Sequence, residues 1–210
     1  MNSVTEIPER LDLKDGDTIY NFQVKKKLGQ GTFGVVYKVH DQLKNSQVLA
    51  LKILRLWTIP YDNERHQLLQ RFKLEYETGK IPSQYLVTSL GYGKVSGNPY
   101  LVMEYCPNGD LRAYVGKPQK LPFYNKVALS VLMGLGDLHK NGKIHRDLKP
   151  DNVLFDRDQL PKLTDFGISG HTNLKMTKRN LLGIPREIFG TYAYMPPEQL
   201  KPRDATKLPT

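Results

Sequence analysis

His145-Arg-Asp147-Leu-Lys149-Pro-Asp-Asn152 is the densest run of reactive side chains in this 210-residue sequence. Asp147 can accept a proton or orient a hydroxyl. Lys149 can neutralise charge on a phosphoryl group in transfer, and Asn152 can offer an amide oxygen to a magnesium ion. A purely structural turn also uses Asp, Asn and Pro, but it does not need them in this order. Asp165-Phe166-Gly167 follows a short apolar piece. A carboxylate there can bind a metal ion that bridges phosphates, and the glycine lets the backbone re-aim it. Taken alone, that tripeptide mostly marks a turn.

Two upstream features belong with these. Gly29-Gln-Gly31-Thr-Phe-Gly34 lets backbone N–H groups approach phosphate oxygens with no side chain in the way. A tight hairpin explains the glycines equally well. A dinucleotide fingerprint needs a helix after them, whereas β-branched Val35 and Val36 continue a strand. Leu49-Ala50-Leu51-Lys52 places one lysine in an apolar strand. Such a lysine either snorkels to water or, after a phosphate loop, pairs with phosphate oxygens. The second role requires an anionic partner to hold it. Leu68, Phe72, Glu75 and Gly79 recur at helical spacing, so Glu75 shares the apolar stripe, while Glu77 lies with Gln70 and Lys73 on the polar side.

The elements that must position these groups are legible as patterns. Phe22 to Val39 reads as a β-hairpin around the glycines, and Val48–Leu54 as a further strand. Asp62–Lys80 reads as a helix after Pro60, with Asp62 or Asn63 as its cap. Leu86–Leu90 and Tyr100–Tyr105 read as strands joined through Ser96-Gly97-Asn98. Phe123–Lys140 reads as a helix carrying Val127, Val131, Leu135 and Leu138, ended by Asn141-Gly142. Short apolar pieces follow at Val153–Phe155 and Lys162–Leu163, then a long loop to Glu198. Residues 1–19 read as a polar leader, and a boundary lies near Cys106-Pro107-Asn108-Gly109.

Composition bounds the rest. The net charge is +10 and there is one cysteine, which excludes a disulfide framework or a multi-cysteine zinc site. It fits a reducing, cytoplasmic setting. No apolar run approaches a membrane span, and the N-terminus lacks the apolar core of a secretory signal. The basic balance permits nucleic acid, acidic lipid or a phosphate ligand. Lys25-Lys26-Lys27 reads more simply as a solvated strand, so no nucleic acid is expected.

From about Tyr20 to Glu198 the ordered set of motifs resembles the eukaryotic-type protein kinase family, in its serine/threonine branch. The resemblance implies an α+β, bilobal protein-kinase-like fold: a β-rich N-lobe with one helix over residues 20–105, then a hinge and an incomplete helical C-lobe over 106–210. It implies ATP and magnesium as cofactors, a protein with Ser/Thr hydroxyls as substrate, and these roles. Lys52 holds the α- and β-phosphates and pairs with Glu75. Asp147 is the catalytic base with Lys149 beside it, and Asn152 and Asp165 bind magnesium. Gly29, Gly31 and Gly34 cover the phosphates. Leu28, Val36, Ala50 and Leu154 sandwich the adenine, Met103 stands behind it, the backbones of Glu104 and Cys106 bond its edge, and Asp110 contacts the ribose. Gly190-Thr191 with Tyr194 fits the peptide-side loop. Arg146 pairs with a loop phosphate or with Glu187 in its place, and Thr172 and Thr177 are alternative phosphosites.

The sequence departs from the family at Gly79, where an apolar helix residue is common, and at Pro-Pro-Glu198. The family continues with helices that this sequence does not include, so the stripe from Val127 to Leu138 is expected to lack its partners. A catalytically weak nucleotide-binding or scaffold fragment is the alternative reading. A small-molecule phosphotransferase fits less well with Lys149 and the Gly-Thr-x-x-Tyr loop.

Overall fold

The computed structural model describes residues 8–166 and Tyr194. Gly167, Gly190-Thr191, Thr172, Thr177, Glu187 and Glu198 lie outside the described residues.

The first part of the chain is a six-stranded antiparallel sheet in the order β1-β2-β3-β4-β6-β5. Its strands are β1 (Thr18–Ile19), β2 (Phe22–Gln30), β3 (Gly34–Asp41), β4 (Gln47–Leu54), β5 (Ser89–Val95) and β6 (Asn98–Glu104). β3 alternates strictly, burying Val35, Tyr37 and Val39 on one face. β4 is buried from Leu49 to Leu54, because both its faces are covered. Leu49, Leu51 and Ile53 join an outer core with Val24, Tyr37 and the N-terminal Leu11 and Leu13. Ala50 and Leu54 join an inner core with Leu68 and Phe72 of helix α1 (Asp62–Thr78). One strand therefore ties two cores together, and Lys52 sits on its inner face.

Helix α1 starts after extended Tyr61, and no side chain caps it, so neither Asp62 nor Asn63 is the cap. Asp62 instead lies in the first turn, where its charge suits the helix dipole and it pairs with Arg65. The helix ends at Gly79, whose φ of −68° any residue adopts. Space explains this glycine: a Cβ there would lie 2.1 Å from Ser89 Oγ, and Ser89 N donates to Gly79 O.

The expected strand Leu86–Leu90 is displaced, since β5 runs Ser89–Val95. Tyr85–Val87 pairs instead with Leu163 of the second part: Leu163 N donates to Tyr85 O and Val87 N to Leu163 O, both at 2.8 Å. Gly91 and Gly93, which break a strand by type, are tolerated because Val102 and the Tyr100 ring from β6 cover them. The β5–β6 turn is Ser96-Gly97, with φ of 45° and 72°, as a two-residue hairpin requires. Asn98 belongs to β6 rather than to the turn. It is fully buried and uses both amide hydrogens, on Glu9 O and Ser96 O, while its oxygen accepts from Leu56 N.

The second part comprises helix α2 (Leu121–Lys140) and the hairpin β7 (Val153–Phe155) and β8 (Pro161–Leu163). Three of the four residues of the α2 stripe have partners among the described residues, while Val127 is half-buried. Leu138 is buried, and Val131 and Leu135 pack beside it against Leu86, Val153, Leu163 and Phe166. Gly134 admits the close approach, since a Cβ there would meet Leu163 Cδ1 at 3.0 Å and Tyr85 O at 3.1 Å. The exposed apolar side chains lie on the opposite face, at Leu129 (60%), Leu132 (66%) and Met133.

Candidate active site

Sheet register sets the first half of the site. Lys52 faces Val36 on β3 and Leu101 on β6, and Ala50 faces Met103. Glu75 is one turn beyond Phe72 on the buried face of α1. The two charges meet inside: Lys52 Nζ lies 2.6 Å from Glu75 Oε1 and also bonds Asp165 Oδ1. Glu77 is half-exposed and pairs with Lys80.

One ammonium thus serves two carboxylates. Burial alone pushes the Lys52 pKa down, but Asp165 and Glu75 outweigh it and raise it. Glu75 is pushed up to about 7 by burial, with Lys52 opposing and Asp165 adding. Its Oε2 is buried with no hydrogen-bond partner, which favours retention of a proton. Asp165, 41% exposed at the side chain, goes the other way. Burial raises it, but the Lys52 charge prevails and holds it below the usual carboxylate range. Burial thus favours the neutral form of Glu75, while the Lys52 charge favours the ionised form of Asp165.

The loop between α2 and β7 supplies the second half. Asn152 is buried and donates its amide to Asp147 O at 2.8 Å and to Asp147 Oδ2 at 2.9 Å. Lys149 Nζ lies 2.8 Å from Asp147 Oδ2. Asp147 is thereby fixed from two sides, and the Asn152 amide oxygen is left as an acceptor. Arg146 and Asp165 both have left-handed backbone, with φ of 64° and 62°. Non-glycine residues in that region cluster at sites where geometry is imposed. His145 is buried, edge-on to Phe166 at 5.8 Å. Burial lowers its pKa against the pull of Asp147 and Asp165, so the ring stays neutral.

The apolar candidates gather in the inner core. Val36 and Leu154 pack against the cluster that holds Ala50, Met103 and Cys106. Leu28, 41% exposed, stands at the rim. Asp110 bridges to Leu154 and precedes a 3-10 turn, Leu111–Tyr114. Glu104 N donates to Thr88 O, which ties the end of β6 to the segment before β5. Cys106 is buried, and its thiol is pushed up to about 12 by burial, with the Glu104 charge adding. A Cβ on Gly29 or Gly31 would meet no protein atom, whereas one on Gly34 would lie 3.6 Å from Lys52 Cε. The loop therefore roofs the lysine and leaves open space at its first two glycines.

Some contributors escaped the sequence. Lys162 in β8 is buried and grips both Glu104 carboxylate oxygens at 2.9 Å. Its cue was the same as that of Lys52, a lone cation in an apolar strand. Arg55 donates to Gly31 O and Thr32 O of the glycine loop, and no local pattern announces that contact. Neither His145 nor Phe166 was given a packing role.

Comparison with known proteins fits this geometry. The family model described as "Protein kinase domain" matches residues 22–208. The serine/threonine-protein kinase cst-1 of Caenorhabditis briggsae is 32% identical over 184 residues, covering 86% of this chain and 34% of that protein. The serine/threonine-protein kinase hippo of Drosophila melanogaster is 30% identical over 184 residues, covering 86% of this chain and 25% of its own length. The chain thus spans about a third or less of these relatives. A solved structure titled "PpkA-294 apo form" superposes with a TM-score of 0.66 at 21% identity, covering 76% of this chain and 63% of that one. The architecture is the protein-kinase-like, two-part α+β fold.

Proposed function

Because the chain belongs to the protein kinase domain family, we propose that it transfers the γ-phosphoryl group of ATP to serine and threonine hydroxyls of proteins. One observation carries this reading: Lys52 reaches Glu75 and Asp165 at once, and Thr164, the neighbour of Asp165, donates its N–H to the carbonyl of Asn152, which with Lys149 holds Asp147. The names of the relatives favour the serine/threonine class.

In this reading Val36, Ala50, Met103 and Leu154 hold the adenine, with the backbones of Glu104 and Cys106 at its edge, Leu28 at the rim and Asp110 toward the ribose. Gly29, Gly31 and Gly34 cover the phosphates, and Lys52 binds the α- and β-phosphate oxygens. Magnesium suits the donor set, since the Asn152 amide oxygen and the Asp165 carboxylate are hard oxygen ligands. Among the described residues no group of three or more His, Cys, Asp or Glu forms a metal cage. Two protein ligands completed by phosphate oxygens are what such an ion accepts. When bound, it neutralises charge on the phosphates.

Asp147 orients the substrate hydroxyl in line with the γ-phosphorus and takes its proton as the new O–P bond forms and the β–γ bridging P–O bond breaks. Lys149 offsets charge on the transferring group. Little covalent work falls to the protein, and catalysis is placement plus charge.

Among the described residues no helix is long and apolar enough to cross a membrane. We place the activity in the cytoplasm, where ATP and reduced thiols coexist.

The test is transfer of labelled phosphate from magnesium ATP to a generic basic protein, followed by phosphoamino-acid analysis. Phosphoserine and phosphothreonine support the proposal. Nucleotide binding without transfer replaces it with the scaffold reading, and phosphotyrosine alone removes the serine/threonine class.

A further inference from the structure

Arg55 follows β4 directly and begins the short 3-10 turn Leu56–Thr58. Its guanidinium reaches back to the loop that precedes β3. Nη2 donates to Gly31 O at 2.8 Å and to Thr32 O at 2.9 Å, while Arg55 N donates to Phe33 O at 2.8 Å. Three consecutive carbonyls of the glycine loop therefore end on one residue.

The direction of this grip decides its meaning. Along β4 the side chains alternate, with Ala50, Lys52 and Leu54 toward the inner face and Leu49, Leu51 and Ile53 toward the outer. Arg55 continues the outer parity, and its charge reaches the Tyr37 hydroxyl in the outer core. The peptide unit is planar and trans, so the carbonyl of one residue and the N–H of the next point to opposite sides. Carbonyls of Gly31, Thr32 and Phe33 drawn toward Arg55 turn the N–H groups of Thr32, Phe33 and Gly34 away from it, toward the Lys52 side. Gly34 already lies against Lys52 there.

We propose that Arg55 is a positioning residue for the phosphates of the nucleotide. It fixes the peptide planes of the glycine loop so that their N–H groups face the anion before it arrives. This deepens the reading of the cleft as an ATP site and rests on it. Glycine-rich loops are intrinsically free. Preorganised dipoles hold an anion more tightly than dipoles that must first be ordered. Arg55 touches no nucleotide atom in this arrangement. It acts through the loop and therefore on phosphate affinity alone.

The experiment compares the 210-residue chain with Arg55→Ala and Arg55→Lys, measuring magnesium ATP and adenosine affinity by calorimetry. Arg55→Ala is expected to weaken ATP about tenfold and leave adenosine unchanged, because the apolar wall is untouched. Arg55→Lys recovers part of the loss, since one ammonium can serve a carbonyl without the planar fork. Equal losses for ATP and adenosine mark a merely structural residue and overturn the proposal, as does unchanged ATP affinity in both variants. If Arg55→Ala folds poorly, Arg55→Gln takes its place under the same criteria. A wild-type chain that binds adenosine but gains nothing from the phosphates overturns the inference. One that binds neither overturns the functional reading beneath it.

Discussion

The two parts of the molecule solve the same task, the placement of a charged side chain, by different means. In the sheet part, Lys52 and Glu75 are placed by apolar packing. β4 is pinned between two cores, α1 is bolted down by Leu68 and Phe72, and the charges ride on that frame. In the α2–β8 part, packing is one-sided and the functional loop is held by polar bonds: Asn152 and Lys149 on Asp147, with left-handed backbone at Arg146 and Asp165. Burial tolerates imprecision of a methyl group at a cost in stability, whereas a bonded loop loses geometry when one donor goes. Damage in the first part should therefore register as stability, and damage in the second as turnover.

The largest effect tests the second half of that claim. Asp147→Asn should reduce transfer by on the order of a hundred- to ten-thousand-fold. ATP affinity and the denaturation midpoint should stay near wild type. A large fall in either would make Asp147 a structural residue and erase the distinction.

The first half is tested by Phe72→Ala, which empties a fully buried ring site under Glu75. It should cost about 3–5 kcal/mol in chemical denaturation. Leu129→Ala on the open face of α2 should cost less than about 0.5 kcal/mol. Similar costs at the two sites would show that the open face is covered in solution.

Gly79→Ala should cost about 1–3 kcal/mol, because its Cβ meets Ser89 Oγ. The companion change Ser89→Gly should recover most of it. No recovery would mean that the helix end, rather than the contact, sets the cost.

The smallest effect is a pH limb. The Glu75 pKa is raised to about 7. Its contribution to stability is complete below its ordinary value and fades as pH rises through about 7. The ion pair with Lys52 runs the opposite way and becomes fully charged above that point. kcat/KM should therefore climb about tenfold between about pH 6 and 8. Glu75→Gln should flatten the climb, and a limb that survives belongs to another group.

What the sequence disclosed follows the same division. The loop from His145 to Asn152 acts within eight residues, so its order was readable without a fold. Glu75 was separable from Glu77 because a helix stripe is local too. The β5 shift was not readable. Gly91 and Gly93 are rescued by Val102 and Tyr100, whose positions only the folded pairing fixes. Of the α2 stripe, Val131, Leu135 and Leu138 find partners in Leu86, Val153, Leu163 and Phe166, and the exposed side is Leu129 to Met133. Arg55 and Lys162 reach partners 24 and 58 residues away, beyond any spacing rule.

The buried thiol of Cys106 has a practical consequence. With its pKa pushed up to about 12 by burial, the thiol stays protonated at neutral pH, and the thiolate is the species that attacks alkylating reagents and peroxide. It is also the sole cysteine in the sequence. The folded chain is therefore a nearly silent background for site-directed labelling: a cysteine introduced at an exposed position such as Leu129 will take a maleimide dye while Cys106 does not. Uptake at Cys106 then becomes a chemical clock for opening of the inner core around it, readable by mass spectrometry without any nucleotide or substrate.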